Sequence, residues 1–250
     1  MRLAAHVDRE EALAFLGHDG QELGGDLADR LERAASLVEG ELPPRGVWRA
    51  VPIAEALAIM PGEDIARHVE GCDEVVLMAV TLGAESEMLL RREQALSPTD
   101  GLLVDACASS LVEQAAGELN LLILGEAAVH GLIATARFSP GYGDLPLSCQ
   151  PAFLAACGAD RALGIHATEA DLLVPAKSIT AAIGLRSAFH DASAPAIGWV
   201  PAGPAFASDA DYSGDPQFTG AAEEPPCAIC VLFDSCILRA QGRTCHGTRA

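Results

Sequence analysis

EVVLMAVTLG, residues 74–83, is the stretch from which the fold is read. Seven consecutive apolar or small residues, Val75 to Thr81, are rich in β-branched side chains and lack the alternation of a half-buried strand. Such a run is a strand buried on both faces. Gly83 closes it, and a helical segment opens at Glu85. The spacing then predicts a break around Ser97, Pro98 and Thr99, with Thr99 or Asp100 capping a second, longer helix. In that helix Leu103, Ala106, Cys107, Leu111 and Ala115 make one apolar stripe, while Asp105 and Glu113 point elsewhere. A long helix lying on a sheet is the expected packing.

Upstream of this strand, Asp8 and Glu11 form a capping-box pattern before Ala12, Leu13, Phe15 and Leu16, predicting a helix over 8–17. A second helix starts near Asp26 and ends at Gly40 and the Pro43-Pro44 pair. Trp48 to Ile53 reads as a strand and Glu63 to Val69 as a helix stopping at Gly71. Downstream, LLILGEAAVHGLIATA from Leu121 reads as core, Ser148 to Cys157 as a short helix, and residues 163–188 as two strands. The order of strands and helices lacks the βα alternation and glycine fingerprint of a dinucleotide-binding fold. The predicted class is α+β, with a mixed or antiparallel sheet and packed helices over residues 1–190. Residues 191–225, rich in Ala, Gly, Pro, Ser and Asp, read as a linker or arm, and 226–250 as a cysteine-rich tail.

Composition narrows the partners. With 35 acidic against 16 basic residues the formal charge is −19, which repels nucleic acid and anionic membrane and favours a cationic ligand or a basic protein. No apolar run is long enough to span a bilayer and Met1 to Asp8 holds no secretory signal, so a soluble cytoplasmic protein is expected. Cytosolic thiols stay reduced, which argues against a disulfide framework of the eight cysteines. Cys72, Cys107, Cys149 and Cys157, set among apolar residues, read as small buried hydrophobes.

Cys227, Cys230, Cys236 and Cys245 are different. Four thiols in nineteen residues, opening with C-x-x-C, suit a soft metal or an iron–sulfur cluster. Which metal is left open by the spacing, since a zinc ribbon closes with a second C-x-x-C that is missing here; an iron–sulfur cluster, structural zinc and a free redox dithiol are the readings, ranked in that order. Arg239 and Arg243 would offset thiolate charge, and His246 is a substitute ligand.

The turn-rich stretch RFSPGYGDLP, Arg137 to Pro146, is the candidate ligand loop. Arg137 can grip a carboxylate with two parallel hydrogen bonds, Pro140 stiffens the loop, Gly141 permits close backbone approach, and Tyr142 can cover an apolar or cationic group. An ordinary surface turn with an Arg salt bridge fits the same spacing.

This segment resembles the R-P-x-P-G-Y loop of the activation domain of B12-dependent methionine synthase. Three further segments resemble that family in the same order: Ala79 to Gly83 its strand end, Asp105 to Glu113 its following helix, and Val174 to Ala182 its Pro-x-x-Ser-Val-Ser-Gly strand. The resemblance spans about residues 50–190, and the first forty residues are similar to the start of stand-alone versions of the domain. It implies that S-adenosylmethionine is bound with its carboxylate on Arg137, backbone contacts at Ser139 and Gly141, Pro140 within the same loop, and Tyr142 beside the ligand. Glu113, Ile183 and Gly184 are further implied contacts. The family's aromatic pair is replaced at Ile183 and Gly184, its N-terminal ligand-contacting Asp has no match here, and Lys177 is an addition read as facing solvent.

By the same resemblance the chain supports reductive methylation of cob(II)alamin, and takes part in methionine synthase activity as a subunit rather than as the whole methyltransferase. The cobalamin is carried by a partner, a methionine synthase or other corrinoid protein, with flavodoxin or ferredoxin as electron donor. Two alternatives stand beside it: an iron–sulfur electron-transfer reactivator that does not use S-adenosylmethionine, and a non-catalytic docking subunit.

Overall fold

The computed structural model describes residues 1–18 and 20–187. The sequence-predicted arm and four-cysteine tail therefore lie outside the described residues.

At the centre is β2 (Glu74–Thr81), whose residues from Val75 to Thr81 are all buried. It pairs antiparallel with β1 (Arg45–Pro52) on one side and β6 (Ser178–Ser187) on the other. The short β3 (Leu132–Ala134) extends the far edge, giving the order β1-β2-β6-β3 with every pairing antiparallel. The N-terminus lies along β1: Arg2 bridges Arg45, the Gly46 N–H donates to the Met1 carbonyl at 3.0 Å, and the Leu3 N–H donates to that of Pro44 at 3.0 Å. That pairing protects an otherwise bare strand edge.

Alternation along β2 divides the core in two. Val75, Leu77 and Ala79, with Ala182 of β6, share one cluster with Ala56, Ile65, Phe153, Leu154 and Leu163. These come from α3 (Ile53–Ile59), α4 (Glu63–His68), α7 (Gln150–Cys157) and α8 (Ala159–Leu163). The opposite face carries Val76, Met78, Val80, Ala181 and Ile183, all fully buried. Over it lies α6 (Pro98–Val129), flanked by α1 (Arg9–Phe15), α2 (Gly25–Glu41) and α5 (Ala84–Leu96). Gly46, opposite Val80, fixes the side: a Cβ there would sit 2.9 Å from Leu119 Cδ2 of α6. The expected α+β class with an antiparallel sheet and packed helices is the observed one, and each fully buried Leu or Met of β2 stabilises it by about 1.5–3 kcal/mol.

Several boundaries differ from the sequence reading. The second long helix is capped by Ser97, whose Oγ accepts from the Asp100 N–H at 3.3 Å, with Pro98 at the first helical position. There the missing proline N–H costs nothing, because that donor has no intrahelical partner anyway. LLILGEAAV is not uniformly core but the last turns of α6: Ile123 and Ala127 are buried, whereas Leu121 and Val129 are 63% and 81% exposed. Residues 163–174 form no single strand. Gly164 is left-handed at φ 72°, and only two-residue strands β4 (His166–Ala167) and β5 (Leu173–Val174) pair around a turn in which Thr168 Oγ1 accepts from the Ala170 and Leu172 N–H groups. Helix α3 follows β1 directly and was not foreseen.

The four scattered cysteines are all buried. Burial pushes the Cys157 thiol up to about 12 and those of Cys107 and Cys149 up to about 11, so each stays a neutral, unreactive thiol.

Candidate functional site

The Arg137 loop grows out of β3 and stays attached to β6. After Ala134, the Thr135 N–H donates to the Gly184 carbonyl and the Gly184 N–H to Thr135 Oγ1, both at 2.9 Å. Three residues later Phe138 exchanges two backbone hydrogen bonds with Ala182, at 2.9 and 2.8 Å. Phe138 is 3% exposed and belongs to the cluster on the α4 and α7 face. Its extended neighbour Arg137 consequently points the other way, toward α6.

There Arg137 Nη2 lies 4.0 Å from Glu113 Oε2. The pair is a Coulombic contact too long for a hydrogen bond, so the guanidinium does not donate to that carboxylate. Burial holds the Glu113 carboxyl above its ordinary range; Arg137 opposes the shift and Glu11 adds to it. Asp105 and Ser109, two turns and one turn earlier on the same face of α6, take up Lys177: its Nζ is 3.0 Å from Asp105 Oδ1 and 2.7 Å from Ser109 Oγ. Lys177 does not face solvent as expected, since its side chain is only 14% exposed. A row of charge thus runs along this face of α6 as two ion pairs, Lys177–Asp105 and Arg137–Glu113.

Past Phe138 the loop folds on itself. The Tyr142 N–H donates to the Ser139 carbonyl at 3.0 Å, the Leu145 N–H to that of Tyr142 at 3.0 Å, and the Gly141 N–H to that of Leu145 at 2.9 Å. Gly141 has φ +93°, and a Cβ there would meet Leu147 Cδ2 at 3.1 Å, so the turn requires glycine. Pro140 is buried and Ser139 half-buried, while Tyr142 is 44% exposed with its ring edge-on to Phe138 at 6.2 Å.

The remaining sequence candidates divide by face. Ile183 is fully buried on the α6 side, opposite Val76. Gly184 turns to the other side, where a Cβ would sit 2.6 Å from Cys72 Sγ and 3.2 Å from Val69 Cγ1. The structure brings Arg137 and Glu113 together and sets Tyr142 on the same loop, but does not bring Gly184 to them.

Sequence reasoning missed four polar anchors. Asp144 accepts from the Glu63 and Asp64 N–H groups at 2.7 and 3.0 Å, its own N–H donates to Asp64 Oδ2 at 3.1 Å, and Asp64 pairs with Arg67. Those two backbone donors, that of Glu63 first, hold the Asp144 carboxyl below its usual range. His68 Nε2 lies 2.8 Å from the Ala136 carbonyl, and its ring 5.1 Å from that of Phe138. No local pattern announces the Asp144 and His68 contacts, because their partners are 68 to 81 residues apart. Beyond Leu147 a separate cleft of about 510 Å³ is lined by Gln150, Thr168, Leu172, Val174 and Ser178.

No family model matches the chain, and no curated protein matches it. Among solved structures it is similar to one described as the MetH reactivation domain bound to AdoHcy, with a TM-score of 0.52 and 18% identity over 71% of this chain and 73% of that one. The two share a fold. Among the described residues no group of three or more His, Cys, Asp or Glu side chains is placed to hold a metal, and no helix is long and apolar enough to cross a membrane.

Proposed function

We propose that this chain binds S-adenosylmethionine between α6 and the Arg137 loop and supports the reductive reactivation of a corrinoid held by a partner. The observation that carries the reading is the Arg137–Glu113 pair, with Tyr142 five residues further along the same loop. An amino-acid moiety carries a carboxylate and an ammonium on one carbon, and a guanidinium and a carboxylate 4.0 Å apart without a hydrogen bond between them match that spacing of charge. The pair opens to admit the zwitterion, each partner exchanging a long contact for a charge-assisted hydrogen bond. Tyr142, partly exposed, covers the adenosine or the sulfonium. Ser139, Pro140 and Gly141 shape the wall; the Gly141 N–H is already committed to the Leu145 carbonyl.

That the similar solved domain is described as bound to AdoHcy, the demethylated product of the same ligand, supports this assignment. Bound S-adenosylmethionine supplies an electrophilic methyl group; with one electron from a flavodoxin or ferredoxin, cob(II)alamin on the partner becomes methylcobalamin and S-adenosylhomocysteine leaves. The protein's own part is to present the ligand. Nothing in the loop is required to act as a nucleophile or a base.

Calorimetry with S-adenosylmethionine on the wild type and on Arg137→Ala tests the site. The wild type is expected to bind and the variant to lose at least about tenfold in affinity, as the loss of a charge-assisted pair implies. A wild type without affinity would leave docking or electron transfer as the role. Consumption of cob(II)alamin by the protein with its partner, with and without S-adenosylmethionine, tests the reaction.

For Cys227, Cys230, Cys236 and Cys245, which lie outside the described residues, the four-thiolate donor set is the ground for proposing an iron–sulfur cluster. Anaerobic purification with iron, sulfide and zinc analysis separates a coloured iron protein from a colourless one with stoichiometric zinc.

A further inference from the structure

Helix α4 holds the Arg137 loop at both ends, and we infer that it positions the ligand site, with His68 and Asp144 as the positioning residues. The inference rests on the reading of that loop as the binder of S-adenosylmethionine.

The upstream hold is His68, whose Nε2 meets the carbonyl of Ala136, the residue before Arg137, while its ring packs on Phe138, the residue after. The downstream hold is the exchange between Asp144 and the first turn of α4. A helix leaves its first N–H groups without intrahelical partners, and a side chain at the N-cap ordinarily takes them. Here the N-cap is Gly62, which has no side chain, and the carboxylate comes from Asp144, some 80 residues further along the chain. The cap of α4 is therefore part of the loop.

Two glycines make room for the exchange. A Cβ on Gly62 would sit 2.7 Å from Asp144 Oδ1, and one on Gly143, at φ +53°, would run into the Asp64 carboxylate. Arg67 pairs with Asp64 and steadies the second carboxylate. Between these two holds the loop touches the sheet only through Phe138 and Ala182 among its described backbone hydrogen bonds. Three attachments thus set where the guanidinium of Arg137 and the ring of Tyr142 stand. Fixing both before the ligand arrives lowers the ordering cost of binding.

The test uses the full chain and two readouts, hydrogen exchange of the loop amides and affinity for S-adenosylmethionine. Asp144→Ala is expected to speed exchange at Glu63, Asp64, Gly141, Tyr142 and Leu145 and to weaken binding about tenfold, the loss of one or two charge-assisted hydrogen bonds. Asp144→Asn, which keeps one oxygen acceptor, should recover part of both. Gly143→Ala forces the exchange apart with both carboxylates intact and carries the same expectation if Asp144→Ala does not fold. Arg137→Ala should weaken binding at least about tenfold with loop exchange unchanged. Loop exchange unaltered in both Asp144→Ala and Gly143→Ala overturns the hold itself, whether or not the wild type binds ligand. A loosened loop with undiminished affinity overturns the positioning role alone, and a wild type without affinity overturns the reading of the site on which that role rests.

Discussion

Glu113 and Lys177 are acid and base on one row of charge, and their settings make different demands. Burial raises the Glu113 carboxyl, so on acidification it takes up its proton earlier than an ordinary glutamate does. If it receives the ammonium of the ligand, affinity is present above that raised value and lost as pH falls through it. The midpoint should lie above the usual glutamate range, and Glu113→Gln should bind more weakly and lose this pH dependence. Calorimetry across the acid range checks both; a flat wild-type profile would remove Glu113 from the ligand's ammonium. Lys177 is the less exposed member of its pair, at 14% against 47% for Asp105. Lys177→Met leaves Asp105 able to reach water, so the expected cost is no more than about 1 kcal/mol, read as a small fall in Tm. Lys177 misled the sequence reading because a lysine next to Ser178 looks like surface, and only its ion pair with Asp105 shows that it turns to α6.

The elements themselves were legible to the extent that their signals are local. EVVLMAVT could be placed because burial on both faces removes alternation, and the stripe of α6 because its period is its own. What failed depended on distant partners. β4 and β5 exist as two residue pairs held by a Thr168 turn, and the exposed Leu121 and Val129 differ from Ile123 only by which side of α6 the sheet covers. For the candidate site, Arg137, Glu113 and Tyr142 were proposed from residue type and resemblance, whereas His68 and Asp144 act across some seventy to eighty residues and leave no local trace. The junction of α5 and α6 is a sharp case of local chemistry. Ser97 caps α6 and also accepts from Arg30 Nη2 at 3.1 Å, so Ser97→Ala should cost about 1 kcal/mol. Gly101 packs on the backbone of α5: a Cβ there would sit 2.5 Å from Gln94 Cγ and 2.7 Å from Gln94 Cα. Backbone cannot step aside as a side chain can, so Gly101→Ala should destabilise by about 1–3 kcal/mol. Urea unfolding of the two variants measures both costs, and a Gly101→Ala protein as stable as the wild type would mean that the helices separate freely.

At the scale of the molecule, the formal charge of −19 and the Arg137–Glu113 pair are both features that the proposed ligand, cationic overall yet bearing one carboxylate, would use. Because that pair joins α6 to the loop, a ligand bridging it ties two elements together in the native state and binds nothing comparable in the unfolded chain. Stability should then rise with ligand as RT ln(1 + [L]/Kd), about 2.7 kcal/mol at a hundredfold excess over Kd. For a chain of this size that corresponds to a Tm increase of about 5–10 °C. S-Adenosylhomocysteine keeps the amino-acid group and adenosine but lacks the sulfonium charge, so the two ligands share the Arg137 and Glu113 contacts and differ only where Tyr142 meets the sulfur. Both should raise Tm in the wild type and do so clearly less in Arg137→Ala, and any excess of S-adenosylmethionine over its product should shrink in Tyr142→Leu, which keeps apolar cover and removes the π-face. A Tm that rises equally in wild type and Arg137→Ala would place the ligand elsewhere on the protein, with the cleft beyond Leu147 the next surface to probe.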